Sequence, residues 1–318
     1  MNDLILPTSA NLPAPLIDAG QKAQISFLEF FTANILNANT RRAYYKASCE
    51  FLTWCYELGV VSIPMIQPLH VAAWIEDLGK TLSVPTVKQR LAAIRHLFDW
   101  FVVQQVVPVN PTASVRGPKH VVKRGKTPVL EPQETRQLIE RIDTTKIVGL
   151  RDRVLIGLMV YSFARIGAAL SLKVEDIYIQ NRRLWVRLSE KGGKQHDMPC
   201  HHNLEAWLHE YLDAANLWND RKGYVFRTID RYTKELSDRS LPQANAYAMI
   251  RRRAAQTGIT KPIGNHTFRA TGITAYLKNE GSLEIAARMA NHASMRTTQL
   301  YDRRGDEVSL DEVERIVI

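Results

Sequence analysis

Two periodicities divide the chain. From about residue 24 to 106 the apolar positions recur at helical spacing. SFLEFFTANIL predicts a first short helix. RRAYYKASCEFLTWCYEL predicts a second, capped at Thr40 and stopped at Gly59, with Tyr44, Phe51, Leu52 and Cys55 on one stripe. HVAAWIEDLG predicts a third. In the fourth, Val87, Leu91, Ile94, Phe98 and Phe101 step by four, three, four and three, one face of a 3.6-residue helix. Four such helices around one apolar centre make a small bundle.

The texture then changes. VVPVNPTASVRGPKHVVKRGKTP carries Pro108, Pro111, Pro118 and Pro128, and proline breaks helices, so a connector is expected here. It is basic from Arg116 to Lys126 without an acid, which suggests a strap along phosphates. Beyond it, EPQETRQLIERI and DRVLIGLMVYSFARIGAALSL predict helices. IYIQ and RLWVRLSE predict strands, and Gly192-Gly193 before KQHDMPC signals a hairpin turn. The remainder reads as helices, ending in the acidic tail GDEVSLDEVERIVI. The expected fold is mainly α, α+β overall: an N-terminal four-helix bundle and a mostly helical second domain with a small antiparallel sheet. The expected boundaries are a mobile lead-in over 1–22, the bundle over 23–107, a basic linker over 108–128 and the second domain over 129–318, with its tail at 305–318.

Composition narrows the class of partner. The 318 residues hold 42 Lys+Arg against 32 Asp+Glu, a formal charge of +10. Residues 1–115 are neutral and residues 305–318 carry −4, which leaves +14 on 116–304. A polyanion is the expected partner. Three cysteines, Cys49, Cys55 and Cys200, form neither a disulfide framework nor a zinc pattern, and read as reduced thiols. No apolar run approaches the ~20 residues that span a bilayer, and the N-terminus lacks the basic region of a secretory signal. A cytoplasmic, nucleoid-associated protein without a membrane role is expected.

Four motifs could carry chemistry. In HTFR, His266 and Arg269 share a helix face, pairing a proton acceptor with a fork that matches two phosphate oxygens. In NHASMRTTQLYDRR, His292 precedes a tyrosine, Tyr301, flanked by Arg296, Arg303 and Arg304; positive charge favours phenolate, so this tyrosine is a candidate nucleophile. Arg165 lies among apolar residues, where its charge needs a partner: either Asp176 or a bound phosphate. Lys191 and Lys194 flank the glycine turn of the hairpin. Each motif alone has a commonplace structural explanation.

Together, and in this order, they resemble the tyrosine recombinases, also called the phage integrase family. Arg165, with Leu172 and Asp176 after it, resembles the first-arginine motif. Lys191 of KGGKQHDMP stands at the catalytic-lysine position, His266 and Arg269 form the HxxR motif, His292 is the third conserved basic position, and Tyr301 is at the nucleophile. The bundle and the Asn-Pro before the linker resemble the family's core-binding domain, so the likeness covers about 290 residues. Two positions depart from it: Ala168 stands where the family commonly has an acid three residues after the first arginine, and Asn291 stands where it often has glycine, which suggests a different turn.

The resemblance implies a site-specific recombinase that cuts and rejoins DNA through a 3′-phosphotyrosyl intermediate, without metal or other cofactor. Arg165, Arg269 and His292 would hold the phosphate oxygens, His266 would act as base and Lys191 as acid. Basic candidates for contact with double-stranded DNA are Arg41, Arg42, Lys46, Lys88, Arg90, Arg95, Arg116, Lys119, Lys123, Arg124, Lys194 and Arg252. Arg251, Arg252 and Arg253 point three ways around a helix, so at most two face DNA. Leu310, Val313 and Val317 form a stripe on the tail that could dock into a neighbouring protomer, giving a tetrameric synapse. About 20 residues before the first helix suggest a simple two-domain, Xer-like or mobile-element recombinase for integration, excision or resolution, with a partner recombinase or accessory protein possible. The alternatives are a catalytically inactive sequence-specific DNA-binding protein, a type IB topoisomerase-like relaxing enzyme, and a hydrolase using HxxR.

Overall fold

The structure is a computed structural model and describes residues 12–122, 125–190, 193–303 and 313–316. The chain divides into two compact units, Met1–Val121 and Val122–Ile318.

The first unit is helical: α1 (Ala14–Asp18), α2 (Gln21–Glu29) running into a π-helical turn at Phe30–Asn34, α3 (Ala38–Glu57), α4 (Pro68–Thr81) and α5 (Val84–Val103). The α5 face is as spaced: Val87, Leu91, Ile94, Phe98 and Phe101 are all buried, against Phe51 and Trp74 from α3 and α4. Gly59 ends the α3 segment with a φ of +82°, a left-handed turn that glycine adopts without a Cβ clash. The α3 cap, however, is Asn37 rather than Thr40: its Oδ1 accepts the backbone N–H groups of Asn39 and Thr40, each at 3.1 Å. Inside the segment expected to be mobile, α1 packs its fully buried Leu16 into the same core, because the prolines before it favour a helix start rather than a free chain.

The expected linker also begins later than its prolines suggest. Asn110 donates to Asp99 Oδ1 (2.6 Å) and accepts from the Thr112 amide (2.8 Å), and Val107, Pro111, Thr112 and Val115 are buried with the first unit. The side chain of asparagine fixes its own local turn here, so 108–115 belongs to the bundle.

The second unit contains α6 (Pro132–Glu140), α7 (Ile147–Tyr161), α8 (Ile166–Ser171), β1 (Ile177–Gln180), β2 (Arg183–Ser189), β3 (Gln195–Pro199), α9 (His202–Ala214), β4 (Arg227–Ile229), β5 (Leu236–Ser240), α10 (Gln243–Gln256), α11 (Asn265–Lys278), α12 (Leu283–Met289) and α13 (Met295–Gln299). Strands β1-β2-β3 form an antiparallel sheet with Val186 opposite both Ile177 and Met198. The second hairpin, β4–β5, lies where only helices were expected; Asp230 accepts the amides of Tyr232 and Thr233 and makes its turn.

Helix α7 is the centre of this unit. Val154, Leu155, Ile156, Leu158 and Met159 are fully buried, so it is apolar on every side. The charge cluster at its start is closed: Asp152, with no exposure, takes both Nε and Nη2 of Arg151 on one oxygen and both Nε and Nη2 of Arg253 from α10 on the other. Helix α11 lies against α7 at Gly272, where a Cβ would collide with the Val160 carbonyl oxygen. No helix among the described residues is long and apolar enough to cross a membrane.

Candidate active site

The site lies where the ends of α7, α11, α12 and α13 meet. After α7 the chain turns at Phe163, which has a left-handed φ of +53°, and presents Arg165 at the start of α8. Helix α11 carries His266 in its first turn and Arg269 one turn later. After α12 the chain turns at Asn291 with a φ of +46° and places His292. Ser294 caps α13, and Tyr301 follows it.

Arg269 holds these segments together. Its side chain is buried, and it donates one N–H to the Phe163 carbonyl and another, at 2.5 Å, to the Ala290 carbonyl. Both carbonyls stand at or beside the left-handed turns, so the arginine locks the two strained corners that present Arg165 and His292. Burial, then the nearby charge of Arg165, pushes the Arg269 guanidinium down to about 10, with Glu190 and Tyr301 opposing the fall. It remains a cation at neutral pH.

The two imidazoles are held neutral by the same field. Burial and the charges of Arg269 and Arg165 push His292 down to about 4. His266 opens to solvent yet is also held below the ordinary imidazole range, by the partial burial of its ring and by both arginines. His292 Nδ1 lies 2.9 Å from Oγ1 of the buried Thr298, and its ring stacks on Tyr301 with centroids 5.8 Å apart and planes 9° apart. The tyrosine backbone is fixed at both ends: its N–H donates to Thr298 O, and its carbonyl accepts from Thr274 Oγ1 at 3.0 Å. The preceding Leu300 carbonyl accepts the Gly125 amide at 3.1 Å, an approach in which a Cβ on Gly125 would sit 2.5 Å from that oxygen.

Thus Arg165, His266, Arg269, His292 and Tyr301, dispersed through the sequence of the second unit, share one locality. Lys191 lies outside the described residues, although both strands of its hairpin are in place.

The sequence did not single out Glu190. Its side chain is buried, and Oε2 accepts from Arg165 Nη1 at 2.5 Å. Asp176, one of the two candidate partners for Arg165, instead accepts the Lys173 amide at 3.0 Å. The available signal was an acid directly before the lysine hairpin in a chain that has Ala168 at the usual acidic position. Thr298 and Thr274 were missed as well, because isolated threonines carry no spacing signal. Asn291 needs no different turn: it adopts a left-handed φ, the conformation that glycine favours and that asparagine tolerates.

The basic candidates fall into groups. Arg42, Lys46, Lys88, Arg116, Lys119, Lys194 and Arg252 are exposed. Arg41 donates Nε to the Ile35 carbonyl at 3.0 Å. Arg90 is held by Glu50 at 2.5 Å with its side chain 12% exposed, and Arg95 donates to the Val115 carbonyl, so both brace the first unit. Arg253 turns inward to Asp152, leaving Arg251 and Arg252 outside. Lys123 and Arg124 lie outside the described residues. Of the tail stripe, Leu310 and Val317 lie outside them too, and Val313 is exposed. Cys200 is buried, and the adjacent His201 stacks on Tyr161 with centroids 4.2 Å apart.

The comparisons agree on kinship. The model of the phage integrase family matches residues 128–307. The tyrosine recombinase XerC of Escherichia coli O127:H6 (strain E2348/69 / EPEC) is 27% identical over 234 residues, 71% of this chain and 72% of its own. XerC of Chlamydia muridarum (strain MoPn / Nigg) is 30% identical over 227 residues, 71% and 69% of the two chains. In fold the chain is similar to the XerH site-specific recombinase bound to a palindromic difH substrate in a post-cleavage complex, with a TM-score of 0.71 and 20% identity over 95% of this chain and 85% of that one. The chain therefore belongs to the phage integrase family and is a site-specific tyrosine recombinase, an enzyme that cuts DNA and rejoins it.

Proposed function

We propose that Tyr301 is the nucleophile and that the residues gathered around it divide the work of one phosphoryl transfer. Tyr301 Oη bonds to the scissile phosphorus while the bond to the 5′-bridging oxygen breaks, leaving a 3′-phosphotyrosyl link and a free 5′-hydroxyl. His266, neutral at pH 7, takes the phenolic proton. Arg165 and the N–H groups of Arg269 not taken by the Phe163 and Ala290 carbonyls donate to the non-bridging oxygens, where charge accumulates. With Thr298 donating to Nδ1, the neutral ring of His292 carries its proton on Nε2 and adds a third donor. Lys191 delivers a proton to the leaving oxygen. The link conserves the phosphodiester's energy, so the reverse reaction with another 5′-hydroxyl rejoins strands. The observation that carries this reading is that Arg269 and the His292 ring both reach Tyr301 while the charges of Arg165 and Arg269 act on both imidazoles.

Double-stranded DNA bearing a specific recombination site is the substrate. Each unit supplies its own contacts: Arg42, Lys46 and Lys88 from the first, and Lys194 and Arg252 from the second, with Arg116 and Lys119 on the connector. The acidic tail docks into a neighbouring protomer to build a tetrameric synapse. The cellular role is resolution of DNA dimers or cointegrates, or integration and excision of a mobile element.

The test is a nicked suicide substrate carrying the target site. The protein should form a denaturation-resistant DNA adduct, and Tyr301→Phe should form none. An adduct that persists in Tyr301→Phe refutes the assignment.

A further inference from the structure

Arg165 can clamp a phosphate only if its guanidinium is held in one orientation, and what holds it is Glu190. The carboxylate is the one buried acid at the site among the described residues; its side chain is 4% exposed while that of Arg165 is 35% exposed. Nη1 of the arginine fork is therefore taken by Glu190 Oε2, while the side chain as a whole stays open enough to meet a phosphate. A second feature connects the same residue to the hairpin. Glu190 follows β2 directly, and its backbone N–H donates to the Lys194 carbonyl at 2.7 Å, closing the base of the turn that carries Lys191. The position three after Arg165, on α8, holds Ala168, which has no group to offer the arginine.

We propose that Glu190 is the positioning acid of this site, orienting Arg165 toward the scissile phosphate from the hairpin side and tying that arginine to the base of the lysine turn. Burial of a carboxylate is costly unless it is paired, so the Glu190–Arg165 contact persists while the outer edge of the guanidinium is free to bind. The Arg269 charge senses Glu190 as well, so one acid offsets part of the positive field that both arginines generate.

The inference rests on the recombinase reading, with Arg165 as a ligand of the non-bridging oxygens. It is tested with two versions of the suicide substrate: one with an ordinary scissile phosphate, one with a methylphosphonate, in which a neutral methyl group replaces one charged oxygen. A guanidinium donor oriented to that charge matters for the first and much less for the second. Glu190→Ala should lower single-turnover cleavage of the phosphate by about 10- to 100-fold, the scale of a misplaced catalytic group. It should lower methylphosphonate cleavage far less, so the ratio of the two rates falls roughly tenfold or more on that same scale. Glu190→Gln, which keeps the size and one acceptor, should fall between wild type and Glu190→Ala, and decides the question if the alanine variant fails to fold. An unchanged ratio in a folded variant, whether both rates fall alike or neither falls, overturns the proposal while wild-type adduct formation leaves the recombinase reading intact. Absence of adduct from the wild type removes the reaction itself, and the inference with it.

Discussion

Thr298 offers the sharpest test of how the site sets its protonation states. Its side chain has no exposure, and its Oγ1 lies 2.9 Å from His292 Nδ1. Thr298→Val keeps the shape and removes only the hydroxyl. The backbone bond from the Tyr301 amide to the Thr298 carbonyl is untouched, so the tyrosine segment should stay in place. What is lost, on the tautomer proposed above, is the donor to Nδ1 that leaves the ring proton on Nε2. A net contribution of ~0.5–1.5 kcal/mol for one hydrogen bond corresponds to about a 2- to 13-fold fall in cleavage rate. The assay is single-turnover formation of the DNA adduct on a nicked suicide substrate, with DNA affinity measured in parallel. Affinity should stay constant, and Thr298→Ser, which restores the hydroxyl, should recover most of the rate. Cleavage by Thr298→Val at the wild-type rate, or failure of serine to rescue it, would refute the role given to this hydrogen bond.

Asp152→Asn strips charge from a buried carboxylate that satisfies the buried Arg151 and the partly buried Arg253, and should cost ~3–5 kcal/mol, read as a lower melting temperature of the full-length protein; a loss under about 1 kcal/mol would contradict the buried cluster. His266 must be neutral to act as base and is held below its ordinary 6.5, so at subsaturating DNA the cleavage rate should be full at neutral pH and fall only as pH drops through a midpoint below 6.5; a midpoint at or above 6.5 would exclude His266 as that base. Asn291→Gly should keep activity, whereas Asn291→Val forces a β-branched residue into the left-handed region and should impair cleavage more than DNA binding; equal activity of the two variants would deny the turn its role. Deletion of residues 306–318 should weaken synapsis, seen as loss of paired-site complexes in gel shifts, more than binding to a single site; full recombination by the truncated protein would rule out tail docking.

Periodic features were legible in the sequence because burial enforces them. The Val87–Phe101 face, the β2–β3 hairpin and the mainly α class all follow from apolar spacing or from a glycine turn. Features that depend on a single polar contact were not. Asn37 capped α3 in place of Thr40, Asn110 folded a proline-rich stretch onto the bundle, and Asp230 made a hairpin out of a segment rich in charge. Each is a local side-chain-to-backbone choice that leaves no repeat. The same holds at the site: the five described candidates of the motif set lie together, but Glu190 stands 25 positions from Arg165, and only the folded chain shows that they pair.

The electrostatics of the site give the three-dimensional arrangement its logic. Burying one arginine beside another costs energy, and the fall of Arg269 to about 10, from its burial first and the charge of Arg165 second, is the sign of that cost. The cost is tolerated because the same surroundings do two useful things. They keep both imidazoles neutral, so one ring can accept a proton while the other donates a hydrogen bond, two jobs that imidazolium could not divide in this way. They also leave a net positive charge, since the one buried acid at the site among the described residues, Glu190, pairs with Arg165 and offsets only part of the charge of the two arginines. Binding of the scissile phosphate would then relieve the repulsion between the arginines, so part of that energy becomes affinity for the charge that grows on the phosphoryl oxygens. A site with a second buried carboxylate would be more stable without DNA and poorer at this chemistry. On the proposed mechanism, one acid paired with one arginine would leave the remaining positive charge for the substrate.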